Sequence, residues 1–149
     1  MKETGKNGFT ERFEKALLAD GGLSVPFIGG RLGKSGWPDR LFWCDTVKFW
    51  LEFKMHDNWV SAQQARQLWL LNRAASMSAF VCQQRFSRDS EEFAIWWIDG
   101  QLKTDPAHCV AYGKIDVHHC RRLVSLLRAG VSRTTYGALT CPNQYLGLS

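Results

Sequence analysis

The sequence lacks the features that mark several large protein classes. Its longest apolar runs, such as AIWWI at 94–98, fall well short of the roughly 18 residues needed to span a bilayer. The opening MKETGKNG carries no apolar signal core. A soluble, cytoplasmic chain with no membrane partner is the expectation. Cysteine is sparse: Cys44, Cys82, Cys109, Cys120 and Cys141 are an odd number at wide, irregular spacing, unlike the dense framework of a small secreted domain. Reduced thiols are the simpler reading. No C-x-x-C or H-x3-H pair accompanies His108, Cys109, His118, His119, Cys120 and Cys141, so no zinc site is expected. No internal repeat or low-complexity segment is present. The stretch Gly29-Gly30-Arg31-Leu32-Gly33-Lys34-Ser35 approaches a phosphate-binding Walker loop, but three residues rather than four precede Gly33-Lys34. Gly36 and Pro38 then forbid the helix that such a loop must open.

The chain has 149 residues, 45% of them hydrophobic and 22% charged, enough to bury the core of one domain and too few for separate cofactor and substrate lobes. Nineteen Lys and Arg against fourteen Asp and Glu leave a net charge of +5, which permits a polyanionic partner without identifying one.

The segment Phe9 to Ala19 sets Phe9, Phe13, Ala16 and Leu17 on one helical face, and Asp20-Gly21-Gly22 supplies the stop. From Val25 to Asp39 the four glycines and two prolines predict a loop, with a short extended piece at 25–28. The runs LFWC at 41–44 and VKFWLEF at 47–53, joined by Asp45-Thr46, predict a hairpin. Ser61 opens SAQQARQLWLLNRAAS, whose Ala65, Leu68, Trp69, Asn72 and Ala75 recur at helical spacing. AFVCQQR at 79–85 and FAIWWI at 93–98 read as strands around a charged loop, and Asp116 to Arg128 reads as a helix. A hairpin, a helix and then further strands imply an α/β fold with a mixed central sheet flanked by helices.

The chemically informative residues are Gly36-Trp37-Pro38-Asp39, followed by Glu52-Phe53-Lys54 inside the apolar hairpin. Side chains alternate faces along a strand, so Glu52 and Lys54 share one face at roughly 7 Å. Asp39 sits where the loop enters the preceding strand, and hairpin pairing can bring it beside Glu52. Two carboxylates and one ammonium around a point match the needs of a hydrated Mg²⁺ ion, which takes one or two carboxylates plus water and phosphate oxygens. A Glu-x-Lys triplet alone means little, since average usage predicts one in about every second chain of this length. The Pro-Asp, the glycine-rich approach, the strand and the capped helix that follows are what single it out.

These residues resemble the PD-(D/E)xK nuclease superfamily, in particular its small VRR-Nuc-like and phage or resolvase-like members. The matching stretch runs from about Phe9 to Arg85: a helix with a carboxylate, G-x-PD, a strand ending in ExK, and S-x-x-Q opening a helix. The resemblance implies a restriction-endonuclease-like core of α-β-β-β-α-β type at about 9–104, with a C-terminal helical extension at about 105–149, in one domain spanning 1–149. It also implies a Mg²⁺-dependent endonuclease, with Mn²⁺ able to substitute, acting on double-stranded or branched DNA; a phage-encoded member would act in the host cytoplasm. Cutting both strands needs two sites related by symmetry, which makes a homodimer an expectation. Asp39 and Glu52 become the metal ligands, Lys54 the catalytic lysine and Gln64 a supporting residue. Glu14 becomes the first-helix carboxylate in preference to Glu11, because it lies beside the apolar face of that helix. Apart from the resemblance, Arg31 and Lys34 in the glycine-rich loop and Trp37 beside the proposed metal site are candidate DNA contacts.

Plainer readings stand beside these. Asp39, Glu52 and Lys54 could be a turn and an ion pair on a solvated sheet, and Glu14 a solvated helix residue. Ser61-x-x-Gln64 is also a capping box, so Gln64 has a structural role open to it. Alternatives to a general endonuclease are a Holliday-junction-type resolvase and a non-catalytic nucleic-acid-binding module with the same fold.

Overall fold

The computed structural model describes residues 4–26, 38–74, 78–98, 103–104 and 108–128. Its elements are α1 (Thr4–Leu17), β1 (Leu23–Pro26), β2 (Arg40–Cys44), β3 (Val47–Lys54), α2 (Ala62–Ala74), β4 (Ser78–Gln84), β5 (Glu92–Trp97), β6 (Cys109–Lys114) and α3 (Val117–Arg128). The six strands form one sheet in the order β1-β2-β3-β4-β5-β6. All neighbours are antiparallel except β3 and β4, which α2 connects in parallel. The fold is therefore α/β with a mixed sheet flanked by helices, and its first six elements follow the expected α-β-β-β-α-β order.

Period-two alternation divides the core into two layers. Phe49, Leu51 and Phe53 of β3 join Phe42, Phe80, Phe93 and Ile95 under α1 and α3. Phe13 of α1 meets Phe53 at 5.8 Å and Phe93 at 4.9 Å, both edge-on, the arrangement that aromatic quadrupoles favour. The opposite face carries Trp50, Val81, Ala94 and Trp96 under Val60 and under Ala65 and Leu68 of α2. Glu52 and Lys54 belong by parity to this second, α2 face.

The turns are built from residues suited to them. Asp45 joins β2 to β3 with φ of 58°, a left-handed conformation that Asp tolerates. At Gly22 φ is 129°, and a Cβ there would lie 3.0 Å from the Trp43 carbonyl oxygen; only glycine lets α1 turn into β1 so closely against β2. Asn72, placed by its spacing on the apolar face of α2, turns out to be a polar bridge. Its amide accepts from Ala79 N at 2.9 Å and donates to the carbonyls of Ala79 at 2.8 Å and Leu68 at 3.0 Å.

Two expectations need correction. α1 begins at Thr4 rather than near Phe9 and ends at Leu17 rather than Ala19, although Phe9, Phe13 and Leu17 are buried as their spacing requires. The expected division near residue 104 does not separate core from extension. β6 pairs with β5 in the same sheet, and Cys120, Leu123 and Val124 of α3 pack in the core with Phe42 and Phe93. The strand was missed because CVAYGK is short, and Gly113 and Lys114 interrupt its apolar pattern. Gly29 to Ser35, Ala75 and the tail from Thr134 lie outside the described residues. The expectation of reduced thiols holds for Cys44, Cys82 and Cys120, which are free and buried, and fails at Cys109, which is disulfide-bonded.

Candidate metal and phosphate site

The hairpin register sets the geometry. Arg40 lies opposite Leu51 in the antiparallel β2–β3 pair, so one further step places Asp39 opposite Glu52. Asp39 Oδ2 accepts a hydrogen bond from the Phe53 amide at 2.9 Å, taking over at the ladder's end the donor that strand pairing no longer satisfies. Its side chain is thereby tied to β3 beside Glu52.

Glu52 is 3% exposed, and a carboxylate so deeply placed needs compensating partners. Gln64 Nε2 donates to Glu52 Oε2 at 2.9 Å, and Lys54 Nζ lies 3.5 Å from the same oxygen. Gln64 also performs the capping role. Its Oε1 accepts from Ser61 N at 3.0 Å, and its own amide donates to Ser61 Oγ at 3.1 Å. A single side chain thus closes the capping box with one end and holds Glu52 with the other, so the two roles foreseen for it coexist.

Asp39, Glu52, Lys54 and Gln64 are therefore brought together. Glu14 is not: its carboxylate pairs with Arg40 at 3.4 Å. Arg40 shares the sheet face of Leu51, across the sheet from Glu52. The apolar stripe of α1 that made Glu14 attractive is the stripe that packs on that other face. Among the described residues no group of three or more His, Cys, Asp or Glu gathers in one place. Arg31, Lys34 and Trp37 lie outside the described residues.

The α2 face also carries residues that spacing did not single out. Gln83 is side by side with Lys54 in the parallel β3–β4 register and buried. Its Nε2 donates to the Asn58 carbonyl at 2.9 Å, and its Oε1 accepts from Arg85 Nη1 at 3.1 Å. Arg85 lies over the Trp96 ring at 5.6 Å, and Trp96 meets Trp59 edge-on at 5.9 Å. Burial pulls the Arg85 guanidinium below its ordinary value, against the opposing pull of the Glu92 charge. The overlooked signal was Gln83-Gln84 at the end of an otherwise apolar strand, which calls for the same explanation as Glu52 and Lys54.

A cavity of about 710 Å³ lies elsewhere, lined by Leu17, Cys44, Cys120 and Val124 and rimmed by Asp20 and Arg121. It is on the α1 and α3 side of the sheet. Burial pushes the Cys44 thiol up to about 11 and Cys120 up to about 12, so neither offers a thiolate there at neutral pH.

No family model and no curated protein matches this chain. Among solved structures it is similar to Archaeoglobus fulgidus Hjc, a Holliday junction resolvase from an archaeal hyperthermophile. The identity is 22%, over 56% of this chain and 72% of that one, with a TM-score of 0.41. Overlap at that level supports no conclusion about this chain, whose fold and site stand on the topology and contacts above.

Proposed function

We propose that this chain is a metal-dependent endonuclease that hydrolyses DNA phosphodiester bonds, with Asp39 and Glu52 as metal ligands and Lys54 assisting the attacking water. The observation that supports the reading is the buried Glu52–Lys54 pair at 3.5 Å, with Asp39 tied to the adjoining Phe53 amide at 2.9 Å. Two carboxylates suit Mg²⁺, or Mn²⁺ in its place, because such an ion completes its octahedron with water and phosphate oxygens. When bound, a divalent ion neutralises the scissile phosphate and acidifies water.

The chain's own residues do the rest. Gln64 holds the Glu52 carboxylate in one orientation, and the backbone bond to Asp39 restrains the second acid. Lys54 offers an ammonium with three donors, able to orient a water and to stabilise charge on the phosphorane. The net charge of +5 favours a DNA partner through release of its counterions. Cutting both strands requires two sites, which a symmetric homodimer would supply. Arg31, Lys34 and Trp37 remain proposed contacts on sequence grounds.

The test is incubation of the pure protein with plasmid and branched DNA plus Mg²⁺ or Mn²⁺, beside Glu52→Ala and Lys54→Ala. Wild type should cleave, chelation should stop it, and each variant should lose about a hundredfold or more in rate, the scale set by removing one preorganised charge-stabilising group. Intact DNA in all three reactions would favour a binding module instead.

A further inference from the structure

Phe86 is an exposed aromatic on a strained backbone. Its φ is 70°, a region in which a bulky residue is an outlier. The Ser87 amide donates to the Arg85 carbonyl at 2.9 Å, closing a three-residue γ-turn around Phe86, the strained kind when its central φ is positive. The ring is 53% exposed, so no burial of that ring compensates the strain. Such outliers cluster at active sites, ligand clamps and switch regions.

Arg85 and Gln83 link the ring to the strand that flanks the candidate site. Arg85 lies between two rings, 5.4 Å from the Phe86 centroid and 5.6 Å from that of Trp96, and Trp96 belongs to the α2 face. Gln83 clasps Arg85 at 3.1 Å and neighbours Lys54 in register. A row therefore runs from Glu52 and Lys54 through Gln83 and Arg85 to Phe86: acid and amine, then a guanidinium, then an open aromatic face. The base of the turn is braced, since Arg85 N donates to the Glu92 carbonyl at 2.8 Å.

We propose that Arg85 and Phe86 form a recognition element for DNA that exposes an unpaired base beside the scissile phosphate, Phe86 stacking on that base and Arg85 gripping an adjoining phosphate. A paired, stacked base offers no free face to the ring, whereas an unpaired base at a branch, gap or flap does. This inference rests on the nuclease reading and adds a substrate class to it.

The experiment compares wild type, Phe86→Trp and Phe86→Gly in chelator, where no cleavage occurs. Binding is measured to a continuous duplex and to the same duplex with an unpaired 2-aminopurine at a branch. Glycine removes the ring and relieves the positive φ, so lost binding cannot be put down to unfolding; thermal melts check this. Wild type should prefer the branched DNA and quench its 2-aminopurine. Phe86→Gly should weaken branched binding about tenfold more than duplex binding, the scale of one lost base–aromatic stack, and Phe86→Trp should restore preference and quenching. Wild type that cleaves and binds DNA without that preference, or Phe86→Gly that keeps it, overturns this proposal alone. Wild type that neither binds nor cleaves any DNA overturns the nuclease reading as well.

Discussion

Gln64 and Glu52 are joined by a 2.9 Å hydrogen bond that runs from the first turn of α2 to the middle of the sheet. Gln64 reaches it while its Oε1 accepts from the Ser61 amide, so the helix terminus and the buried acid share one support. Ser61→Ala should remove part of the cap and leave the Glu52 contact, costing about 1 kcal/mol of stability with a small effect on cleavage. Gln64→Ala removes both and strips a hydrogen bond from a buried charged group, a further loss of about 1.5–3 kcal/mol. Urea denaturation and single-turnover cleavage of the two variants separate cap from site; equal cleavage losses would argue against the division.

Lys54→Met keeps most of the stem and removes the charge 3.5 Å from Glu52. Cleavage should fall about a hundredfold or more. Metal affinity, read by calorimetry, should stay the same or rise, because a competing cation leaves the carboxylate. A parallel collapse of metal affinity would reassign Lys54 to holding the site together.

Asn72 meets both backbone groups of Ala79, a residue with no solvent exposure. Asn72→Leu leaves that amide and carbonyl without these partners at the start of β4, and should cost about 2–4 kcal/mol in urea unfolding. A loss below about 0.5 kcal/mol would mean that water or a neighbour takes over the bonds.

Asp116 precedes α3 and accepts from the His119 amide at 2.8 Å. That bond, aided by the His119 side chain, lowers its carboxyl below the ordinary 3.8. Because the folded value is depressed, the stabilisation is complete above the unfolded value and disappears as the pH drops through the folded one. Asp116→Ala should lose about 0.5–2 kcal/mol at neutral pH. Asp116→Asn should keep most of the cap and flatten the acid limb of a stability profile as the pH falls through and below the ordinary carboxyl value.

Gly113 of β6 faces His119 so closely that an added Cβ would lie 2.5 Å from its Cδ2. Gly113→Ala should therefore displace the ring that bonds Asp116 Oδ1 at 2.8 Å and destabilise by about 1–3 kcal/mol. A concurrent His119→Ala should recover much of that loss in the same denaturation assay.

Local physics wrote the hairpin, α2 and the Glu52–Lys54 pairing into the sequence. Alternation forces residues two apart in a strand onto one face, the 3.6-residue period selects Ala65 and Leu68 for burial, and Asp45-Thr46 closes a two-residue turn, whatever lies farther along the chain. Other features depended on partners far away in sequence. Glu14 satisfies the same helical arithmetic as Phe13 and Leu17, yet the face of the sheet on which α1 packs gives it Arg40 instead of Glu52. β6 joins the sheet only because β5 leaves an edge for it to pair with. Arg85 and Phe86 acquire meaning only when β4 lies parallel to β3 and sets Gln83 beside Lys54, since long-range register, unlike periodicity, is a property of two strands and not of either one.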